Sequence, residues 1–244
     1  MSRVRLDLAL EQRRLMPSRA RARDAILRGT VAVNGAPAKK PNQMVGPEDE
    51  LTLDDPAAGY VSRAALKLIA GLDAGGINVS GKICLDVGSS TGGFTQVLLK
   101  RGAKRVFAVD VGHDQLHESL RSDMRVTSLE GTNARDLDSE IIPDAIDLLV
   151  SDVSFVSLTK VLAPALTLCG PQAEAVLLFK PQFEVGREFV GKGGIVTDSM
   201  ASERALAEVV RFVESGGFTL REKIVSPIAG GDGNVETVLV FDRR

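Results

Sequence analysis

From residue 82 to residue 241 the chain alternates between two periodicities, and this alternation constrains its fold more than any other feature. Short β-prone runs occupy 82–87, 104–109, 125–129, 146–151, 174–180, 219–225 and 235–241, and helical segments separate most of them. A further helix is expected around Ser62 to Gly71. Strand and helix in alternation predict an α/β fold, with a mainly parallel seven-stranded sheet and helices on both faces. Such sheets bind ligands beyond the C-terminal ends of their strands. The informative residues should therefore lie where the strands stop.

The first strand ends in Leu85-Asp86-Val87-Gly88-Ser89-Ser90-Thr91-Gly92-Gly93-Phe94, a glycine-bearing turn entering a helix. A dinucleotide-binding loop needs G-x-G-x-x-G, so that bare backbone can meet a diphosphate at a helix N-terminus. That spacing is absent, and Asp86 would repel a diphosphate. An acid there suits a cationic ligand, such as one carrying an ammonium and a sulfonium. Gly88 to Gly92 formally matches the G-x-S-x-G elbow of hydrolases, which also need a histidine late in the chain. The only histidines, His113 and His117, both follow the second strand, where an exposed helical face is expected rather than a metal-binding pair. The spacing D-x-G-x-x-x-G-G instead resembles motif one of class I methyltransferases, whose catalytic domain is Rossmann-like. That resemblance implies S-adenosyl-L-methionine as cofactor, held by Asp86, Gly88, Ser90, Gly92, Gly93 and Phe94. The next two strand ends agree with it. Asp110 can take both ribose hydroxyls in a bidentate pair, and Asn133 places an amide that can read an adenine edge.

Four further ionisable residues stand out: Lys67 in Ser62-Arg63-Ala64-Ala65-Leu66-Lys67, Asp152 ending the fourth strand, Lys180 ending the fifth, and Glu236 in the last. Any one of them could simply mark where a strand reaches solvent. As a set, S-R-A-x-x-K-L, S-D, L-L-F-K and N-V-E resemble the Lys-Asp-Lys-Glu tetrad of the FtsJ-like ribose 2'-O-methyltransferases. Methyl transfer is an in-line displacement, and holding two reactants on that line supplies roughly 7 to 11 kcal/mol. A ribose hydroxyl is a poor nucleophile, so a desolvated lysine is needed to accept its proton or steady the oxyanion. Lys180 is expected in that role. Asp152 and Glu236 orient the lysines, while Lys67 adds a second positive charge and helps to hold the ribose.

The net charge of -2 conceals an uneven distribution. Residues 1 to 45 carry ten Lys/Arg against three acids, a charge of +7, so the remainder carries -9. A basic head on an acidic body suggests that the head meets a polyanion. Within it, helical spacing runs from Arg5 to Leu15, and Ser18 caps a second helix that buries Ala22, Ala25 and Ile26 and stops at Gly29. Thr30 to Val33 then forms a strand turning at Asn34-Gly35, and Glu50 to Leu53 a last short one. This small α+β module resembles the RNA-binding domain named after small-subunit ribosomal protein four. The resemblance implies RNA contacts from Arg3, Arg5, Arg19, Arg23, Lys39 and Lys40. The expected domains are 1–55 for RNA binding, a linker at 56–61, and 62–244 for methyl transfer.

Head, linker, catalytic body and the phrase Lys180-Pro181-Gln182-Phe183-Glu184-Val185-Gly186 together resemble the hemolysin A (TlyA) family over essentially the whole chain. The resemblance implies 2'-O-methylation of cytidine in large-subunit ribosomal RNA, and in some members small-subunit RNA, with Ser154 and Phe155 lining the cofactor pocket. One departure bears on the small subunit: the chain ends at Arg244, soon after the last strand, where some members continue with a helix. Residues 183 to 198, rich in glycine with Arg187 and Lys192 between, read equally as a flap over RNA and as an ordinary surface loop.

Rival functions leave different traces. A membrane-lytic protein needs a long apolar or strongly amphipathic segment, and no run approaches the roughly 18 residues of a membrane helix. The N-terminus also lacks the apolar stretch of a signal peptide, so a cytoplasmic location is expected. A base-directed methyltransferase wants a catalytic cysteine or an Asn/Asp-Pro-Pro-aromatic motif near the fourth strand. Ser151-Asp152-Val153-Ser154-Phe155 offers neither, and Cys84 and Cys169 sit in apolar contexts that suit buried thiols. A role limited to RNA binding or ribosome assembly would not need the tetrad. The sequence carries no signal for oligomeric state.

Overall fold

The computed structural model describes residues 3 to 243, which divide into two compact units at the Gly59/Tyr60 boundary. The first unit opens with β1 (Val4–Arg5), α1 (Leu6–Gln12) and α2 (Arg19–Leu27), and continues through β2 (Val31–Val33), β3 (Ala36–Pro37), β4 (Met44–Val45) and β5 (Leu51–Leu53). Its core is Leu6, Leu10, Ala22, Ala25, Ile26, Val31 and Val45 with smaller neighbours, which places the apolar stripe of each helix against β2 and β4. The Ser18 hydroxyl accepts from Arg21 N and caps α2 as expected. Asn34 and Gly35 both take positive φ, 51° and 78°, the geometry of a two-residue hairpin turn between β2 and β3.

Two details differ from the sequence reading. Helix α1 stops at Gln12 rather than Leu15, because Arg14 adopts φ 57° and both Leu15 N and Met16 N return to the Leu10 carbonyl. Beyond β5, Asp55 at the end of the expected RNA-binding domain and Ala57 of the expected linker are both buried within the first unit. The Arg28 guanidinium grips Asp55 through two bonds of 2.8 and 2.7 Å, a bidentate pair that satisfies a carboxylate otherwise removed from water.

The second unit contains α3 (Ala65–Gly75), β6 (Ile83–Val87), α4 (Gly93–Lys100), β7 (Arg105–Asp110), α5 (Glu118–Arg121), β8 (Val126–Glu130) and β9 (Ile146–Ser151). It continues through α6 (Leu158–Val161), α7 (Ala163–Thr167), β10 (Cys169–Phe179), α8 (Pro181–Glu184), α9 (Ser199–Ser215), β11 (Phe218–Val225) and β12 (Thr237–Arg243). All seven expected strands form one sheet in the order β11-β12-β10-β9-β6-β7-β8. Strand β12 runs antiparallel to both neighbours, while β6 to β10 pair in parallel. The helix expected at 62–71 forms at 65–75. Glu236, expected inside the last strand, immediately precedes it.

One apolar cluster covers each face of the sheet. Helix α3 lies close on its face because Gly71 has no side chain: a Cβ there would stand 2.6 Å from Val176 Cγ1 and 2.7 Å from Val238 Cγ1. The chain runs outward from β6 through β7 to β8, then returns to place β9 on the other side of β6. The strand order reverses there, which opens a crevice beyond the C-terminal ends of β6 and β9.

Candidate active site

Side chains alternate across a strand, so the residue that follows a strand on a given face can be read from the register. Leu148 and Val150 of β9, Val176 and Leu178 of β10, and Val238 and Val240 of β12 all face the cluster covered by α3. Asp152 and Lys180 lie two residues beyond Val150 and Leu178, and Glu236 two residues before Val238 on the antiparallel β12, so that Lys180 and Glu236 stand just past the Phe179–Thr237 pair of the ladder. Lys67 comes down from the first turn of α3. Four residues up to 169 positions apart in sequence thereby meet at one sheet end.

They form a chain of alternating charge. Glu236 Oε2 lies 2.6 Å from Lys67 Nζ, Lys67 Nζ is 3.9 Å from Asp152 Oδ2, and Asp152 Oδ1 is 2.7 Å from Lys180 Nζ. Lys180 also donates to the Asp152 carbonyl at 3.2 Å and to Ser154 Oγ at 2.8 Å. Lys67, Lys180 and Glu236 are all buried. Two lysines are tolerated out of water here because each has a carboxylate within contact.

Beside this chain is a cavity of about 430 Å³. Val87, Val109, Ala134, Val153 and Val156 supply its apolar walls, and Gly88, Ser90, Asp110, Asn133, Ser154 and Phe155 line it as well. Asp110 is oriented by backbone donors: Ser90 N on Oδ2 and Gly112 N on Oδ1, each at 2.8 Å. Each carboxylate oxygen keeps a second lone pair for a ligand. Asn133 accepts from Arg135 through Oδ1, and its Nδ2 makes no hydrogen bond among the described residues. At Gly88, φ is 86° and a Cβ would approach Val153 N to 3.0 Å, so only glycine fits between loop and cavity. A smaller cavity of about 140 Å³ continues from Gly88 and Ser90 to Gly93, Phe94, Asp152, Ser154 and Lys180, which joins the glycine loop to the charged chain.

Two expected cofactor residues lie elsewhere. Asp86 is fully buried and lines neither cavity; Oδ2 accepts from the Thr95 hydroxyl at 2.7 Å, so it braces the start of α4 behind the loop. Burial, with some contribution from the Asp152 charge, pushes its carboxyl up to about 7. Gly92 faces α5 instead, where a Cβ would meet Leu120 Cδ1 and Leu116 Cδ1. His117 caps α5 and His113 packs over Gly131. Two residues near the site went unforeseen. Gln115 lines the larger cavity in a segment that Glu130 fixes by accepting from Gln115 N and Leu116 N, and Glu184, which lines neither cavity, accepts from Ser157 and Leu158. No sequence motif marks the first, whereas the second sits inside the phrase that follows Lys180.

The loop from 183 to 198 folds as short turns closed by a bridge between Val190 and Val196. Buried Asn234 clasps it by accepting from Val196 N and donating to the Gly194 carbonyl. In the first unit, buried Asp7 holds Arg5 through bonds of 3.0 and 2.8 Å and lies 3.5 Å from Arg19. Arg3 is 3.8 Å from Asp49, while Arg23, Lys39 and Lys40 are exposed and make no ion pair among the described residues.

Comparison with known proteins places this geometry. The FtsJ-like methyltransferase family matches residues 60 to 243, and the S4 domain matches residues 4 to 51. The 16S/23S rRNA (cytidine-2'-O)-methyltransferase TlyA of Mycobacterium tuberculosis is 47% identical over 97% of this chain and 89% of its own. The 23S rRNA (cytidine-2'-O)-methyltransferase TlyA of Campylobacter jejuni is 39% identical over 96% and 97%. A solved structure from Streptococcus thermophilus, described as a hemolysin, superposes with a TM-score of 0.77 at 37% identity and covers 100% of this chain and 89% of that one. The chain belongs to the FtsJ-like methyltransferase family, among its TlyA relatives, with an S4 domain at its N-terminal end.

Proposed function

We propose that this protein is an S-adenosylmethionine-dependent ribose 2'-O-methyltransferase that modifies cytidine in ribosomal RNA. The observation that carries the reading is the Glu236-Lys67-Asp152-Lys180 chain at the mouth of a cavity with the donors and acceptors an adenosine needs. Both relatives named above act on 23S RNA and only one on 16S, so the large subunit is the first substrate to test.

The cavity fits S-adenosylmethionine on its own chemistry. Asp110 offers two oriented lone pairs to ribose hydroxyls, Asn133 an uncommitted amide donor to an adenine nitrogen, and the valines an apolar slot for the ring. When bound, this group supplies an electrophilic methyl. The chain's own residues do the rest. Lys180 lines the smaller cavity, meets the ribose hydroxyl and takes its proton as the 2'-oxygen becomes the nucleophile. Asp152 and Ser154 fix the direction of Lys180 Nζ, and Glu236 holds Lys67 3.9 Å from Asp152, so that a second cation reinforces the same charged chain. Asp86 supports the glycine loop from behind.

The domains divide the labour. Residues 1 to 55 bind RNA through Arg3, Arg5, Arg19, Arg23, Lys39 and Lys40, and residues 62 to 244 carry out the transfer. Such a substrate places the protein in the cytoplasm. Base methylation is disfavoured by the cysteines: both are buried, burial pushes both thiols up to about 12, and neither lines a cavity described above. Among the described residues no helix is long and apolar enough to cross a membrane.

The test incubates the protein and its Lys180→Ala variant with methyl-labelled S-adenosylmethionine and unmodified ribosomal subunits. The RNA is then digested to nucleosides. Label in 2'-O-methylcytidine, lost in the variant, is the expected result. Label on a base would discard the tetrad, and equal turnover by the variant would discard Lys180.

A further inference from the structure

Two segments meet beside the cavities at the ends of β9 and β10. One follows β9 and carries Asp152, Ser154 and Phe155; the other follows β10 and carries Lys180, Phe183 and Glu184. Ladder pairing between β9 and β10 ends at Ser151 and Leu177. Beyond that point, among the described residues, no backbone hydrogen bond joins 152–158 to 180–185. Their relative position depends on side chains.

Three contacts do this, in order from root to tip. Lys180 reaches Asp152 and Ser154, the rings of Phe155 and Phe183 meet at 5.2 Å, and Glu184 accepts from Ser157 Oγ at 2.6 Å and from Leu158 N at 2.8 Å. The first belongs to the chemistry proposed above. The last is 27 residues apart in sequence and touches no cavity described above. We propose that Glu184 is a positioning residue for methyl transfer, a latch that holds the Ser154–Phe155 segment in register with Lys180.

Strain makes a latch necessary. Phe155 is a non-glycine residue at φ 66°, with its side chain largely exposed. A residue in that region persists only where its surroundings over-determine it. Both partners of Glu184 are donors, so an acceptor-only carboxylate satisfies them together. Ser157 also accepts from Thr159 N as the cap of α6, which ties the latch to a helix end. Releasing the tip leaves Ser154 and Phe155 free to relax away from Lys180.

This inference rests on the 2'-O-methyltransferase reading, and its test keeps the two separable. Wild type, Glu184→Ala, Glu184→Gln and Ser157→Ala are compared for kcat, for KM toward S-adenosylmethionine and for amide hydrogen exchange without ligand. Glu184→Ala should lower kcat about tenfold or more and speed exchange across 153–158, with the rest of the domain unchanged. Glu184→Gln should recover most of the loss, because its oxygen still accepts from Leu158 N, and Ser157→Ala should fall between. Adding Ser154→Ala to Glu184→Ala should cost less than it does in wild type, since both act through the placement of Lys180. A wild-type kcat and wild-type exchange in Glu184→Ala would overturn the latch alone. So would a loss that strictly tracks the unfolded fraction, or effects of Ser154 and Glu184 that multiply independently. A wild type that transfers no methyl to ribose overturns the functional reading and the inference with it, while the exchange data still report whether the segment is latched.

Discussion

Lys180 donates to the Asp152 carbonyl and to Ser154 Oγ, and the Asp152 carboxylate stands 2.7 Å from its ammonium. A compact, rotatable donor on a flexible stem suits that pocket, and a planar guanidinium does not. Lys180→Arg should therefore keep the charge and lose the function, with kcat reduced at least a hundredfold while equilibrium binding of S-adenosylmethionine changes only a few-fold; a variant near wild-type rate would show that charge alone suffices. Asp86 makes a different prediction. Its carboxyl is raised from the ordinary 3.8 to about 7 by burial, so between those values the unfolded chain has released a proton that the folded chain retains. Stability must then fall as pH rises from about 4 to about 7, by on the order of 4 kcal/mol at most. Asp86→Asn cannot titrate and should flatten that part of the curve, measured by denaturant unfolding at several pH values. An unchanged slope would mean that Asp86 ionises freely in the folded protein.

At the scale of elements, the site depends on how closely α3 lies on the sheet. Lys67 and Gly71 are one helical turn apart on the same face, so the glycine that allows close approach also sets the reach of the lysine toward Glu236. Gly71→Val would place methyl groups against Val176 and Val238, where a Cβ alone already stands within 2.7 Å of each. Overpacking of this kind costs about 1 to 3 kcal/mol. The expected outcome is a lower denaturation midpoint together with a reduced kcat, the second because Lys67 is lifted from Glu236. Full activity in a destabilised variant would separate the packing from the site.

At the scale of the molecule, charge divides between a head at +7 and a body at -9. Within the head not every cation is equally available: Arg5 is committed to Asp7, and Arg28 is bound to Asp24 and Asp55, whereas Lys39 and Lys40 are exposed. Neutralising phosphates releases counterions, so RNA affinity should fall steeply as salt rises. Replacing Lys39 and Lys40 with alanine should weaken binding and reduce the slope of log K against log salt by about 1 to 2. Filter binding across a salt series would read this directly, and an unaltered slope would remove the two lysines from the interface.

Local chemistry was legible without any structure. Strand positions followed from short β-prone runs, the α2 cap from Ser18, the hairpin from Asn34-Gly35, and the tetrad from short motifs that resemble the FtsJ-like pattern. Each is a property of a few neighbouring residues, or of a pattern that one face of a sheet imposes on its strands. The elements and the chemical alphabet of the site were therefore written in the linear pattern. The folded structure alone settles which way Asp86 and Gly92 face, that Glu130 fixes the Gln115 segment, that Glu184 ties down the start of α6, and that Gly71 sets the height of Lys67. These depend on contacts between segments far apart in the chain, and a linear pattern does not encode which of two faces a turn presents or which distant side chain fills the space beside it.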